Sequence, residues 1–295
     1  MQAVSWTLPA SLLLKLLEGS SVLIRLGYDI EFYLPFPTPL IALLEVHPSR
    51  IPDLREPDQM KLDPDVAVER YVDSFGNHCS RFLAPAGILR IYNSTLIEDS
   101  GEPDPQAPNA KQHPVEELPS EVLQYLMGSR YCQTDLLTNV ATELFSQTPT
   151  GWARVQAVCD WVYQKVEFGY PYARPTKTAL DVYLERTGVC RDFQHLAITF
   201  CRCLNIPARY AAGYLGDIGI VLPPSPMDFS AWFEVYLEGR WWTFDARHNR
   251  PRIGRVVMAA GRDATDIAIT TAFGSAPLNR FFVVSDEVKT QSAGS

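Results

Sequence analysis

From Val22 to Leu34 the even positions are Val22, Ile24, Leu26, Tyr28, Ile30, Phe32 and Leu34, while the odd positions include Arg25, Gly27, Asp29 and Glu31. Alternate side chains of a strand face opposite sides, so this period of two predicts one long strand with a single buried face. Pro35, Pro37 and Pro39 end it, and a second strand is expected over 40–47. Shorter strand patterns at 68–75, 79–84 and 87–93 are separated by Gly76-Asn77 and by a Pro85–Gly87 turn. Several short strands with turns at this spacing make residues 21–98 an antiparallel β-sandwich. Residues 99–121 then hold five prolines and six acidic side chains with little to pack. They read as a solvated, partly extended linker.

Beyond the linker the period changes. Trp152, Val155, Cys159, Val162 and Val166 recur at helical spacing, with Thr150 as the expected N-cap. Thr178-Ala-Leu-Asp181 opens a short helix in the manner of a capping box, and that helix ends near Arg186. Thr187-Gly188 breaks the chain. A further helix is predicted from Cys190 to about Leu204, with Phe193, Leu196, Ala197, Phe200, Cys201 and Leu204 as one apolar stripe and Asn205 and Pro207 as its stop. Strand patterns follow at 208–215, 229–237, 240–246, 254–259, 267–271 and 280–284. Helices followed by an antiparallel sheet define an α+β core over 122–288. Residues 1–20 are left as an N-terminal extension and 289–295 as a tail.

Charge and cysteine usage narrow the function. The 295-residue chain carries 26 basic against 34 acidic residues, a net charge of −8, which argues against a nucleic-acid binder. The apolar stretch Trp6–Leu17 is too short to span a membrane and contains Pro9 and Lys15. No basic residue precedes Lys15 and no A-x-A-like cleavage site follows, so the six cysteines are expected in a reducing cytoplasm. Their spacings match neither a disulfide framework nor a zinc site, His47, His78 and His113 have no partners at metal-ligand spacing, and no phosphate loop occurs. No cofactor and no metal are implied.

Cys190 stands apart from the other cysteines because it opens a helix after a glycine break. Free N–H groups at a helix start favour an anion, so a lowered thiol pKa is expected there, with the same amides available to an oxyanion. The hairpin downstream supplies possible partners. With Glu238-Gly239 as a two-residue turn, opposed residues sum to 477, so Trp232 faces Asp245 and Ser230 is the diagonal neighbour of Asp245.

Four ordered motifs make the pattern specific: Gly188-Val-Cys-Arg-Asp-Phe193; Asn205-Ile-Pro-Ala-Arg-Tyr210 with Gly213-Tyr-Leu215; Asp228-Phe-Ser-Ala-Trp-Phe-Glu234; and Trp242-Thr-Phe-Asp245. Together they resemble the bacterial transglutaminase-like proteins of the papain-like superfamily. The resemblance spans roughly 135–284, and the preceding strands are similar to the β domain that accompanies this core. It implies a Cys-His-Asp triad in which Cys190 matches the nucleophile and Asp245 the carboxylate. The histidine of that family pattern is replaced here by Ser230, which has no basic nitrogen. Losing it removes general acid catalysis, worth roughly 10²–10⁴ in rate, so amide chemistry suffers most.

Two other histidines lie near. His195 is five residues after Cys190, about 140° around the helix, and is expected to be a packed structural residue. His248, three residues past Asp245, could fold back over the cleft and replace the missing base, but an exposed loop residue is the commoner outcome and the one expected. Arg247, Arg250, Arg252 and Arg255 read as a solvated turn, and Trp232, Trp241 and Trp242 as sheet packing. The resulting expectation is thiol-dependent acyl transfer or hydrolysis at Cys190, with Asp245 and Ser230 in the site and altered activity. Its substrate would be a peptide or protein acyl group, with a protein partner from a peptide-modifying system and neither nucleic acid nor membrane. The alternative is an impaired peptide- or partner-binding module of the same fold.

Overall fold

The alternation over 22–34 folds as strand β1 (Val22–Leu34). In the computed structural model, which describes residues 21–220 and 227–288, Ile24, Leu26, Tyr28, Ile30, Phe32 and Leu34 are all buried. The expected extension 1–20 and tail 289–295 lie outside the described residues. Strands β2 (Thr38–Ala42), β3 (Lys61–Asp63), β4 (Val68–Val72), β5 (His78–Ala84) and β6 (Gly87–Asp99) follow. β6 pairs antiparallel with β1 along its whole length, from Val22↔Asp99 to Leu34↔Gly87.

The second half opens with a helix that the apolar periodicity did not single out. It is α1 (Thr134–Phe145), which buries Leu137, Ala141 and Phe145 at a spacing of four. Helix α2 (Trp152–Lys165) buries Trp152, Val155, Cys159 and Val162 as predicted, but its N-cap is Gly151, not Thr150. Two-residue strands β7 (Glu167–Phe168) and β8 (Thr187–Gly188) pair in parallel around α3 (Ala179–Glu185), where Thr178 and Asp181 form the predicted capping box. Helix α4 (Cys190–Cys203) carries more than an apolar stripe, because it is buried on nearly every side from Asp192 to Arg202. Most of its polar side chains are satisfied internally, the Arg202 guanidinium donating to the carbonyls of Ala208 and Met127, while His195 Nδ1 has no partner among the described residues.

The core sheet runs in the order β11-β10-β9-β12, with β9 (Ala208–Leu215), β10 (Ser230–Leu237), β11 (Arg240–Phe244) and β12 (Arg255–Gly261). The hairpin register is the expected one, from Leu237↔Arg240 to Phe233↔Phe244. Glu238 and Gly239 both have positive φ, as a two-residue turn matching the strand twist requires. Among the described residues no helix is long and apolar enough to cross a membrane.

Two expectations about domain organisation need correction. The last strands, β13 (Thr270–Ala272) and β14 (Leu278–Glu287), do not belong to the 122–288 core. β13 pairs with β2, β14 pairs with β1, and together they complete two four-stranded sheets, β14-β1-β6-β3 and β13-β2-β5-β4. The sandwich therefore closes only when the chain returns to it. It also shares its apolar interior with Tyr214, Phe229, Val256 and Met258 of the core.

The 99–121 segment is the second correction, because it is a tied strap and not a solvated linker. Ala110 is buried, its carbonyl accepts from Trp152 N–H, and the Lys111 carbonyl accepts from Glu238 N–H. The Asp104 carboxylate pairs with buried Arg255 at 3.1 Å and accepts from the Arg252 N–H at 2.9 Å. Proline-rich composition removes donors and fixes extended backbone, but it does not prevent a segment from docking through its carbonyls.

Gly151 is where the strap meets α2. Its φ is +80°, and an added Cβ would collide with the Ala110 carbonyl. Gly151→Ala is expected to destabilise the protein by roughly 1–3 kcal/mol, read as a lowered urea midpoint. An unchanged midpoint would show that the strap is not anchored there.

Candidate active site

Cys190 is the first residue of α4, and Val189 before it is extended. The Asp192 carboxylate, fully buried, accepts from the Val189 N–H at 3.0 Å and is paired with Arg191 at 2.9 Å. This close return explains Gly188, since a Cβ there would sit 2.7 Å from the Asp192 Cβ. The Gly-Val-Cys-Arg-Asp run therefore fixes the angle at which the cysteine leaves the sheet side of the molecule.

The Cys190 side chain is half-buried and lines a cavity of about 90 Å³ together with Tyr170, Asp228, Ser230, Arg247 and His248. Burial pushes its thiol up to about 11, helped by the negative charge of Asp228. The Arg247 guanidinium and the main-chain N–H groups of Ala231 and Arg191, which are directed at the sulfur, pull the other way and lose. The lowered thiol pKa expected at this helix start is therefore not found. Desolvation outweighs the helix terminus.

Asp245 emerges one residue beyond the last hairpin pair and is buried. One carboxylate oxygen accepts from Gln194 Nε2 at 3.1 Å and from the N–H groups of Arg247 and His248 at 3.0 and 3.1 Å. The other accepts from His248 Nδ1 at 2.9 Å and faces an Arg255 nitrogen at 3.4 Å. Burial opposes the Asp245 charge, but the His248 hydrogen bond and the Arg255 cation hold its carboxyl well below the usual carboxylate range. Asp245 does not itself line the cavity, whereas His248 does.

His248 is thus not the exposed loop residue expected from its position. Its side chain is 17% exposed and its Nδ1 is fixed on the carboxylate. That bond makes Nδ1–H the donor and leaves Nε2 as the acceptor nitrogen. Nε2 makes no hydrogen bond among the described residues. The turn holding it is stabilised by Asn249, which adopts a left-handed φ of 49° and donates its main-chain N–H to the Asp245 carbonyl at 2.8 Å. The Asn249 amide is in turn clamped to Asp160 and Gln156 of α2 at 2.8 and 2.9 Å.

The three residues predicted for the site fall into two places. Cys190 and Ser230 share the cavity, and Asp245 is reached from it through His248. His195 is a structural residue, as expected. It is fully buried, stacks on Tyr131 at 4.9 Å, accepts from the Ala264 N–H at 3.1 Å and is held neutral by desolvation. Trp232 is buried sheet packing, with Arg255 over its ring at 4.7 Å.

The arginine turn is only partly solvated. Arg250 is exposed, but Arg252 and Arg255 are buried and Arg247 lies 3.8 Å above the Phe168 ring. Sequence reasoning also missed Gln194, although it lies one helical turn after Cys190, the spacing that puts two side chains on one face. Among the described residues no cluster of His, Cys, Asp and Glu is arranged to hold a metal.

A model of the transglutaminase-like superfamily matches residues 138–246, which run from α1 through Asp245. The structure of a candidate cysteine protease from Cytophaga hutchinsonii is similar over nearly the full length. It has 30% identity and a TM-score of 0.79, with 92% of each chain covered. An uncharacterized protein of Mycobacterium leprae is 23% identical over 209 residues, 68% of this chain and 73% of that one. On the motif match and the full-length likeness together, the chain belongs to the transglutaminase-like superfamily.

Proposed function

We propose that the protein is a thiol acyl-transfer enzyme in which Cys190 is the nucleophile, His248 the general base and Asp245 the carboxylate that orients it. The single observation carrying this reading is the 2.9 Å hydrogen bond from His248 Nδ1 to Asp245, made by an imidazole that lines the same cavity as Cys190. A triad is defined by geometry and role, not by sequence position, so a histidine after the aspartate serves as well as one before it.

In the first step His248 Nε2 takes the Cys190 proton as the sulfur bonds to the acyl carbon. The carbonyl oxygen becomes an oxyanion beside main-chain N–H groups at the start of α4. The imidazolium then protonates the leaving amine, the C–N bond breaks, and a thioester remains on Cys190. Attack by water releases an acid and restores the thiol, which would make the enzyme a peptidase or amidase. Attack by an amine forms a new amide, which would make it a transglutaminase or ligase. Peptide amide or isopeptide groups are the substrate class, and a peptide-modifying protein is the partner that would supply them. The six free cysteines support a reducing, cytoplasmic setting.

Because the thiol rests at about 11, it is protonated at neutral pH and needs a base at the moment of attack. Two outcomes follow. First, His248→Ala is expected to lower kcat/KM on an activated acyl ester by roughly 10²–10⁴, and adding Ser230→His to that variant to recover at least about ten-fold. Activity of His248→Ala within a factor of about three of the parent would remove His248 from the mechanism and favour a binding module. Second, alkylation of Cys190 by iodoacetamide, followed by mass spectrometry, is expected to be faster near neutral pH in the parent, where His248 can take the proton, than in His248→Ala. Both profiles should then rise toward the thiol's own pKa. Superimposable profiles would sink the base assignment.

A further inference from the structure

The cavity at Cys190 contains two guanidinium groups that the acyl-transfer steps do not use. Arg247 makes no side-chain hydrogen bond or ion pair among the described residues; its guanidinium rests on the Phe168 ring at 3.8 Å. Arg252 is more deeply set, with a side chain only 1% exposed. One of its terminal nitrogens donates to the Gly216 carbonyl at 2.8 Å and lies 3.3 Å from Asp217. Its buried Nε–H has no partner among the described residues. A buried cationic donor left unsatisfied is costly, and such a group in a native structure needs an explanation.

We propose that Arg247 and Arg252 form a carboxylate-binding subsite, so that the preferred substrate carries a carboxylate close to the acyl group attacked by Cys190. This deepens the acyl-transfer reading and rests on it. The guanidinium fork is suited to a carboxylate, which it binds through paired N–H donors. Both arginines line the cavity that holds the thiol, so the carboxylate lies within a residue or so of the scissile bond. The two acidic residues of the cavity do not already fill this role. Asp217 is 47% exposed and meets one terminal nitrogen of Arg252, leaving Nε–H free. Asp228 accepts from the Phe229 N–H and feels the Arg247 charge, but burial outweighs both and raises its carboxyl, and it forms no ion pair or side-chain hydrogen bond with Arg247 among the described residues. The carboxylate could come from a free C-terminus or from an acidic side chain, and both present the same chemistry.

Binding to full-length Cys190→Ala protein tests this without requiring turnover, so its failure is separable from a failure of the catalytic assignment. Calorimetric titrations would use three probes: N-acetyl-dialanine with a free carboxylate, its C-terminal amide, and N-acetyl-alanyl-glutamyl amide, whose only carboxylate is on the side chain. At least one acid is expected to bind about ten-fold or more tighter than the neutral amide, and the tighter acid identifies the source. Arg247→Gln, at a half-exposed position where folding is not at risk, is expected to erase most of that preference. Arg252→Lys, which keeps the charge but loses the fork, should weaken it. Equal binding of all three probes, or a preference untouched by both substitutions, overturns the subsite.

Discussion

One buried carboxylate organises the site. Asp245 accepts hydrogen bonds from α4 through Gln194, from its own turn through the amides of Arg247 and His248, and from the His248 ring, and it faces Arg255 of β12. Removing a charge from water costs several kcal/mol, and only such a full set of partners repays it. The same contacts fix geometry. Gln194 is one turn from Cys190, so the bond that satisfies Asp245 also sets the rotation of the helix carrying Cys190. Arg255 is also held by Asp104 of the 99–121 strap, through its Nε and the same terminal nitrogen that faces Asp245. Loss of the carboxylate would leave the Arg255 cation held by Asp104 alone and the Gln194 amide by main-chain groups alone. The hairpin, the helix, β12 and the strap therefore all meet at this group.

What could be read from the residues was whatever depends on near neighbours. The period of two in β1, the turn at Glu238-Gly239 with its register, and the Thr178–Asp181 capping box are set by local backbone preferences and are found as predicted. So is the placement of Cys190 at a helix start. What could not be read depends on which distant edge or atom a segment meets. A strand pattern at 280–284 does not say that its partner is β1, some 250 residues earlier. Apart from buried Ala110 and Leu118, the strap docks through polar groups: main-chain carbonyls, Asp104, Gln112 and His113. Such polar contacts do not appear in a hydrophobic pattern.

The site shows the same division. Cys190 and Asp245 were legible through the family motifs, and Ser230 was legible as a departure from them. His248 was not, because a histidine in a charged turn is usually solvated. Its burial here follows from the Asn249 backbone and from the amide clamp on α2. The only local hint was the spacing of three between Asp245 and His248, enough for a turn to fold the ring back onto the carboxylate.

The thiol illustrates how magnitudes decide between opposing effects. A helix N-terminus favours the thiolate by ~0.3–2 kcal/mol. Raising the thiol from its ordinary 9.0 to about 11 disfavours it by roughly 3 kcal/mol, so burial wins. The thiol therefore rests protonated, not as a preformed thiolate. Such a site depends more heavily on its base than one whose cysteine is already ionised. In the proposed mechanism the proton taken from sulfur would stay on the imidazole, next to the departing amine, which would keep amide chemistry within reach of a cleft whose usual histidine position holds a serine. The hydroxyl at Ser230 lines the same cavity as Cys190, Arg247 and Arg252.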